Sequence, residues 1–142
     1  MVLNKEEIMK IIPHRFPFLL IDEITEIEIG VGARGKKYVK EDEYYFKGHF
    51  PGNPVMPGVL QIESLAQLGA AVVLSLDEFK GKTALFGGLK KAKFRKTVKP
   101  GDVLDLSVTI DKLKSRVGIG LAKAYVGEDL ACSCEITFII MD

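Results

Sequence analysis

Cysteine is scarce in this chain. There are two, Cys132 and Cys134, both in LACSCEITF. Read as alternate residues of a strand, they share one face and are poorly placed to bridge each other. Two thiols build neither a disulfide framework nor a four-ligand zinc site. A reduced, cytoplasmic setting is the expectation. Net charge is also nearly absent, +1 over 142 residues. That argues against a strong global field for nucleic acid or a membrane surface. No unbroken apolar run of membrane length is present. The longest, Val59 to Leu76, is interrupted by Gln61, Glu63, Ser64 and Gln67, which argues against a span. MVLNKEEIMK lacks the apolar region of a secretory signal. Repeats, low-complexity tracts and linkers are missing too.

What remains is the composition of an ordinary globular protein, 47% hydrophobic and 27% charged. The length suits a single domain, residues 1–142, with a sizeable core. Charge is unevenly spread. Between Lys82 and Lys99 lie seven of the 20 basic residues and none of the 19 acidic ones.

Local patterns suggest the elements. Asn4 followed by Glu7 resembles a capping box, with Ile8, Met9, Ile11 and Ile12 at helical spacing before Pro13. FLLIDEITEIEIGVGARGKKYV reads as two strands around Gly30 and Gly32. EDEYYFKGHFPGNPVMPG is rich in Gly and Pro and has no period, so it reads as loop. Pro57 suits the first position of a helix that runs to about Ser75 and is apolar nearly all round. Gly69, Ala70 and Ala71 allow close approach of other structure. TALFGG, KAKFRKTV, DVLDLSVTI, VGIGLAKAYV and LACSCEITFII then read as strands separated by short turns. The expectation is an α+β domain. One long helix packs on six or seven mostly antiparallel strands.

Two side chains stand out. Glu63 falls nearly two turns into the apolar helix, where a lone carboxylate costs several kcal/mol or takes up a proton. Gln67 lies one turn further on the same face and Ser64 is adjacent, forming a narrow polar stripe. For an isolated glutamate the plainer reading is a solvent-facing or subunit-contact position. His49 alone is weak evidence, but GHFPGNP is a rigid setting that fixes an imidazole at the mouth of a helix. The helix start also offers free backbone N–H groups near Gly58 and Val59, suited to a developing oxyanion. An imidazole, a carboxylate in apolar surroundings and an anion hole suit proton removal beside a carbonyl, with acid-assisted loss of a neighbouring group. No activated nucleophile is evident. His14, in PHRFPF, is expected to be a packed structural histidine, and Arg15 a structural or interface residue. FGGLKK has no phosphate-loop spacing.

GHFPGNPVMPGVLQIESLAQLGA resembles the active-site segment of the FabZ-type 3-hydroxyacyl-acyl-carrier-protein dehydratases of bacterial fatty acid synthesis. IIPHRFPFLLID and KAKFRKTVKPGD resemble two further segments of that family, so the likeness covers essentially the whole chain. It implies a hot-dog fold, a long helix wrapped by a curved antiparallel sheet. It implies dehydration of a (3R)-hydroxyacyl thioester to the trans-2-enoyl product. His49 would remove the α-proton, Glu63 would assist departure of the hydroxyl, and the Gly58 amide would bind the thioester carbonyl. It further implies that His49 and Glu63 come from opposite subunits of a homodimer, that dimers assemble into a trimer of dimers, and that neither cofactor nor metal is needed.

The related dehydratase-isomerase type carries Asp where Glu63 stands and lacks FPGNP, which favours the plain dehydratase. This chain also departs from the family, which often has Asp at the position of Lys90 and Pro at that of Thr97. Lys91, Lys93, Arg95 and Lys96 are candidates for docking acyl carrier protein, with Lys91, Lys93 and Arg95 on one strand face. The alternative is a solvated strand whose lysines guard its edge. Two competing functions are a hot-dog thioesterase and a non-catalytic carrier-binding module. Retention of His49 with Glu63 disfavours both.

Overall fold

The computed structural model describes residues 2–142. A short helix α1 (Lys5–Met9) leads into strands β1 (Glu23–Glu28) and β2 (Gly32–Tyr38). A 3-10 turn (Tyr44–Lys47) and a loop then precede the long helix α2 (Gly58–Leu74). A second 3-10 turn (Asp77–Phe79) leads to β3 (Thr83–Phe94), β4 (Val103–Lys114), β5 (Val117–Val126) and β6 (Asp129–Met141). All six strands form one antiparallel sheet in the order β1-β2-β4-β5-β6-β3. Among the described residues no helix is long and apolar enough to cross a membrane.

The expected capping box forms: Asn4 Oδ1 accepts from the Glu7 N–H at 2.9 Å, and the Asn4 N–H donates to Glu7 Oε1 at 3.1 Å. Pro57 lies just outside α2 rather than in its first turn. Its ψ of 134° is extended, so the helix begins at Gly58. From Ser64 to Leu74 every residue of α2 is buried. The curved sheet supplies the cover. Alternate residues Leu104, Leu106 and Val108 of β4, and Cys132, Cys134, Ile136 and Phe138 of β6, are all buried, as period two requires. The two cysteines do share one face. This is the expected α+β, hot-dog arrangement.

Helix and sheet approach most closely at Gly69. A Cβ built there would lie 2.4 Å from the ring of Phe138, itself fully buried. Gly69→Ala is therefore expected to destabilise by about 1–3 kcal/mol through overpacking. Denaturant unfolding reads this directly, and an unchanged midpoint would refute the close contact.

TALFGG and KAKFRKTV are not two strands but one, β3. Irregularities between Phe86 and Gly88 and between Lys90 and Lys93 absorb the extra residues along β6. Lys91 sits in the second of these with φ 54°. The alternation therefore breaks at Lys91, and the strand ends at Phe94. Lys91, Lys93 and Arg95 do not form the single row that simple alternation predicts. β3 is also a sheet edge, 12 residues long, and Leu85, Phe86, Leu89 and Phe94 on it are each about half exposed. An edge of this length and character is a template for pairing with another chain.

Candidate active site

His49 follows the 3-10 turn and is held through its backbone. Its N–H donates to the Tyr45 carbonyl at 3.0 Å, and its own carbonyl accepts from the Val55 N–H at 2.9 Å. Phe50 and Asn53 exchange backbone hydrogen bonds of 3.1 and 2.9 Å, closing the turn. Gly52 within it has φ 73°, a left-handed conformation that suits glycine. The His49–Phe50 peptide is cis. The turn that leads here is anchored by a largely buried ion pair, Lys37 Nζ to Glu43 Oε2 at 2.6 Å.

The ring of His49 has a defined tautomer. Nδ1 lies 2.7 Å from the Val55 carbonyl oxygen. A carbonyl only accepts, so the proton is on Nδ1 and neutral His49 presents a lone pair at Nε2. The ring stacks on Phe50, centroids 4.1 Å apart. Beside it opens a groove of about 530 Å³, lined by Met56, Gly58, Val59, Phe94 and Arg95 among others. Leu60 and Gln61 are the first α2 residues to donate, both to the Pro57 carbonyl. The Gly58 and Val59 N–H groups are the unpaired donors every helix start leaves. A Cβ at Gly58 would fall 2.7 Å from the Phe94 ring, so only glycine lets that ring lie over the helix start. Gln61 lines the same groove with its amide oxygen buried and unpartnered.

Glu63 is elsewhere. It lines a separate pocket of about 200 Å³ with His14, Phe18, Ala66, Ala70 and Phe86. Gln67, fully buried, organises this side. Its Nε2 donates to Glu63 Oε2 at 2.9 Å and to the Phe18 carbonyl at 2.8 Å, and its Oε1 accepts from the Leu20 N–H at 2.7 Å. Burial raises the proton affinity of Glu63 above the ordinary carboxyl value, and the Gln67 hydrogen bond only partly opposes it. Within one chain His49 and Glu63 thus share no pocket. The structure also brings together a residue that sequence reasoning set aside: His14 Nε2 lies 3.7 Å from Glu63 Oε2. No spacing rule links positions 14 and 63. The available signal was that His14 falls in IIPHRFPFLLID. Arg15 is structural, as expected, donating to the carbonyls of Met9, Ile12 and His14.

Among the candidate docking residues, Arg95 and Lys96 line the His49 groove. Lys96 is paired with Asp129 at 2.7 Å. Among the described residues no three His, Cys, Asp or Glu side chains gather as a metal site would need.

Residues 12–136 match the model of the FabA-like domain. A 3-hydroxyacyl-acyl-carrier-protein dehydratase FabZ of Clostridium novyi is 59% identical over 140 residues, 99% of each chain. A protein of the same name from Latilactobacillus sakei is 53% identical, covering 98% of this chain and 99% of that one. Among solved structures, a dehydratase heterocomplex from Xenorhabdus doucetiae matches with a TM-score of 0.81 at 14% identity, covering 95% of this chain and 91% of that chain. An uncharacterised protein from Pyrococcus horikoshii matches at 0.71 and 14%, with coverages of 94% and 92%. At such identities these structures speak for the fold. The two close relatives and the domain match speak for more: this chain belongs to the FabA-like family and, within it, to the FabZ 3-hydroxyacyl-acyl-carrier-protein dehydratases.

Proposed function

We propose that this chain dehydrates (3R)-hydroxyacyl-acyl-carrier-protein to the trans-2-enoyl thioester in fatty acid synthesis. His49 acts as base and Glu63 as acid. The observation that carries this reading is the Nδ1 contact of His49 with Val55, which leaves Nε2 free to accept a proton at the edge of a groove containing unpaired helix-start N–H groups. Nε2 takes the α-proton of the substrate. The C–H electrons form the new double bond as the C3–oxygen bond breaks, and the hydroxyl leaves as water with the proton of Glu63. The Gly58 N–H, seconded by that of Val59, stabilises negative charge on the thioester oxygen. Gln67 supports by orienting Glu63. The reaction as written balances without a metal or cofactor.

The working site is composite in this reading, built by two copies. β3 runs from Leu85 and Phe86, on the Glu63 pocket, to Phe94, on the His49 groove. Antiparallel pairing of two β3 edges about a two-fold near Leu89 sets one end of each strand beside the other end of its mate. The His49 groove of one subunit then meets the Glu63 pocket of the other, and the half-exposed apolar side chains of β3 are covered. A trimer of such dimers is part of the same reading. So is a chain acting as one domain, 1–142, in the cytoplasm. Burial pushes the two thiols up to about 11 at Cys132 and about 12 at Cys134, suiting permanently reduced, inert cysteines.

The deciding experiment is the reverse reaction, hydration of a trans-2-enoyl thioester, followed by loss of its ultraviolet absorbance with free thiol assayed in parallel. Absorbance loss without thiol is expected. Thiol release would identify a thioesterase instead. Silence toward carrier-bound substrate as well would identify a non-catalytic module.

Carrier docking is assigned to the basic segment Lys91, Lys93, Arg95 and Lys96, of which Arg95 and Lys96 line the His49 groove. Reversing the charge of Lys93 and Arg95 together is expected to raise KM for carrier-bound substrate about tenfold and flatten its salt dependence. Short soluble thioesters should be nearly unaffected. Equal effects on both substrates would count against docking.

A further inference from the structure

His14 has two ring nitrogens in different circumstances. Nδ1 is buried and has no hydrogen-bond partner. Nε2 faces Glu63 Oε2 at 3.7 Å, and both side chains are largely buried, 20% and 16% exposed. A buried N–H without an acceptor is worse than a buried lone pair beside one, so the proton of neutral His14 belongs on Nε2, toward the carboxyl. Gln67 Nε2 donates to the same oxygen at 2.9 Å. Two donors therefore converge on Oε2, and Oε1 is the oxygen left without a partner among the described residues. At 3.7 Å the His14 contact is too long for a hydrogen bond, but contacts of this kind shorten when substrate fills a site.

We propose that His14 is a positioning residue for Glu63: with Gln67 it holds Oε2 as the accepting oxygen, so that Oε1 delivers the proton, and it steadies the carboxylate left behind. This rests on the reading of Glu63 as the acid. The step balances simply. The Oε1–H bond breaks, a bond from that proton to the departing hydroxyl forms, and negative charge stays on the carboxylate between two N–H donors.

The surroundings keep His14 in the required state. Burial, and then the Arg15 cation beside it, hold its proton affinity below the ordinary value of 6.5. A neutral His14 leaves the proton on Glu63, whereas the positive charge of an imidazolium would favour the ionised carboxylate and loss of that proton. The remaining pocket walls, with Ala66 and Ala70 from α2, Leu85 and Phe86 from β3 and Phe138 from β6, are apolar. His14, with Arg15 behind it, is thus the titratable company Glu63 has there among the described residues.

The test compares His14→Phe, which fills the space without a donor, with His14→Gln, which keeps one. Dehydration of a 3-hydroxyacyl thioester is followed across pH, with melting temperature as the folding control. For His14→Phe, kcat is expected to fall about tenfold with KM within about twofold, and the alkaline limb of the pH profile to move upward because Glu63 releases its proton less readily. His14→Gln should restore most of kcat and the original limb. In a Glu63→Gln background, His14→Phe should cost almost nothing further. An unmoved limb, an equal loss in the Glu63→Gln background, or failure of His14→Gln to restore turnover would each overturn the proposal. Should His14→Phe fail to fold, His14→Gln decides alone: a near-native kcat and limb support the role, and a tenfold fall removes it. If Glu63→Gln itself turns over normally, the reading of Glu63 as the acid fails and this proposal falls with it, whereas a moved limb or lost turnover confined to the His14 variants tests His14 alone.

Discussion

Glu63→Gln is expected to lower dehydration turnover by roughly 10²–10⁴-fold, the usual worth of a positioned acid, while the protein stays folded. The substituted amide keeps the shape of the carboxyl and can still meet Gln67, so lost activity would report lost chemistry. The pH dependence sharpens the test. The form active in dehydration carries its proton on Glu63 and none on His49 Nε2. Burial raises the proton affinity of Glu63 above its ordinary 4.5, which favours that form. Activity is therefore expected to persist above pH 4.5 and to decline as pH rises further and the carboxyl ionises. Stability has the same sign. The folded-state value is raised, so the native state holds the proton longer than the unfolded chain. The stabilisation is fully present below the unfolded value and is lost as pH rises through the folded one. The variant should lack this slope. A Glu63→Gln protein with native turnover, or with the wild-type slope of stability against pH, would defeat the argument.

His49→Ala should be equally severe, roughly 10²–10⁴-fold in kcat, because among the described residues of the chain no other imidazole or carboxylate lines its groove. Its more informative use is in a mixture. His49→Ala and Glu63→Gln are each expected to be nearly inactive alone. In a composite site, a mixed dimer joins the intact His49 of one chain to the intact Glu63 of the other. Random exchange of subunits would leave half the dimers mixed, each with one of two sites whole, so activity should return to about a quarter of wild type. Co-expression of the two variants, followed by the enoyl hydration assay, checks this. No recovery, with mixed dimers demonstrated by differential tags, would mean that each chain completes its own site.

Much of this protein is legible in its residues because the signals are local. Asn4 with Glu7 makes its capping box, Pro57 marks a helix start to within one residue, and period two assigns the buried face of β4 and β6. His49 in a glycine- and proline-rich turn, and Glu63 inside an apolar helix, stand out for the same reason: each breaks the pattern around it. The tertiary structure decided the rest. TALFGG and KAKFRKTV became one strand because pairing with β6 tolerates bulges that spacing alone reads as a break, and that bulge also unmade the row of cations. His14 met Glu63, far along the chain, only because the segment before β1 folds over α2. The separation of His49 from Glu63 within one chain could not be read from a stretch that holds both. Close in sequence, they face different pockets because α2 turns its sides to different neighbours. Local preference acts over a few residues and writes itself into sequence; which distant groups meet depends on how whole elements pack.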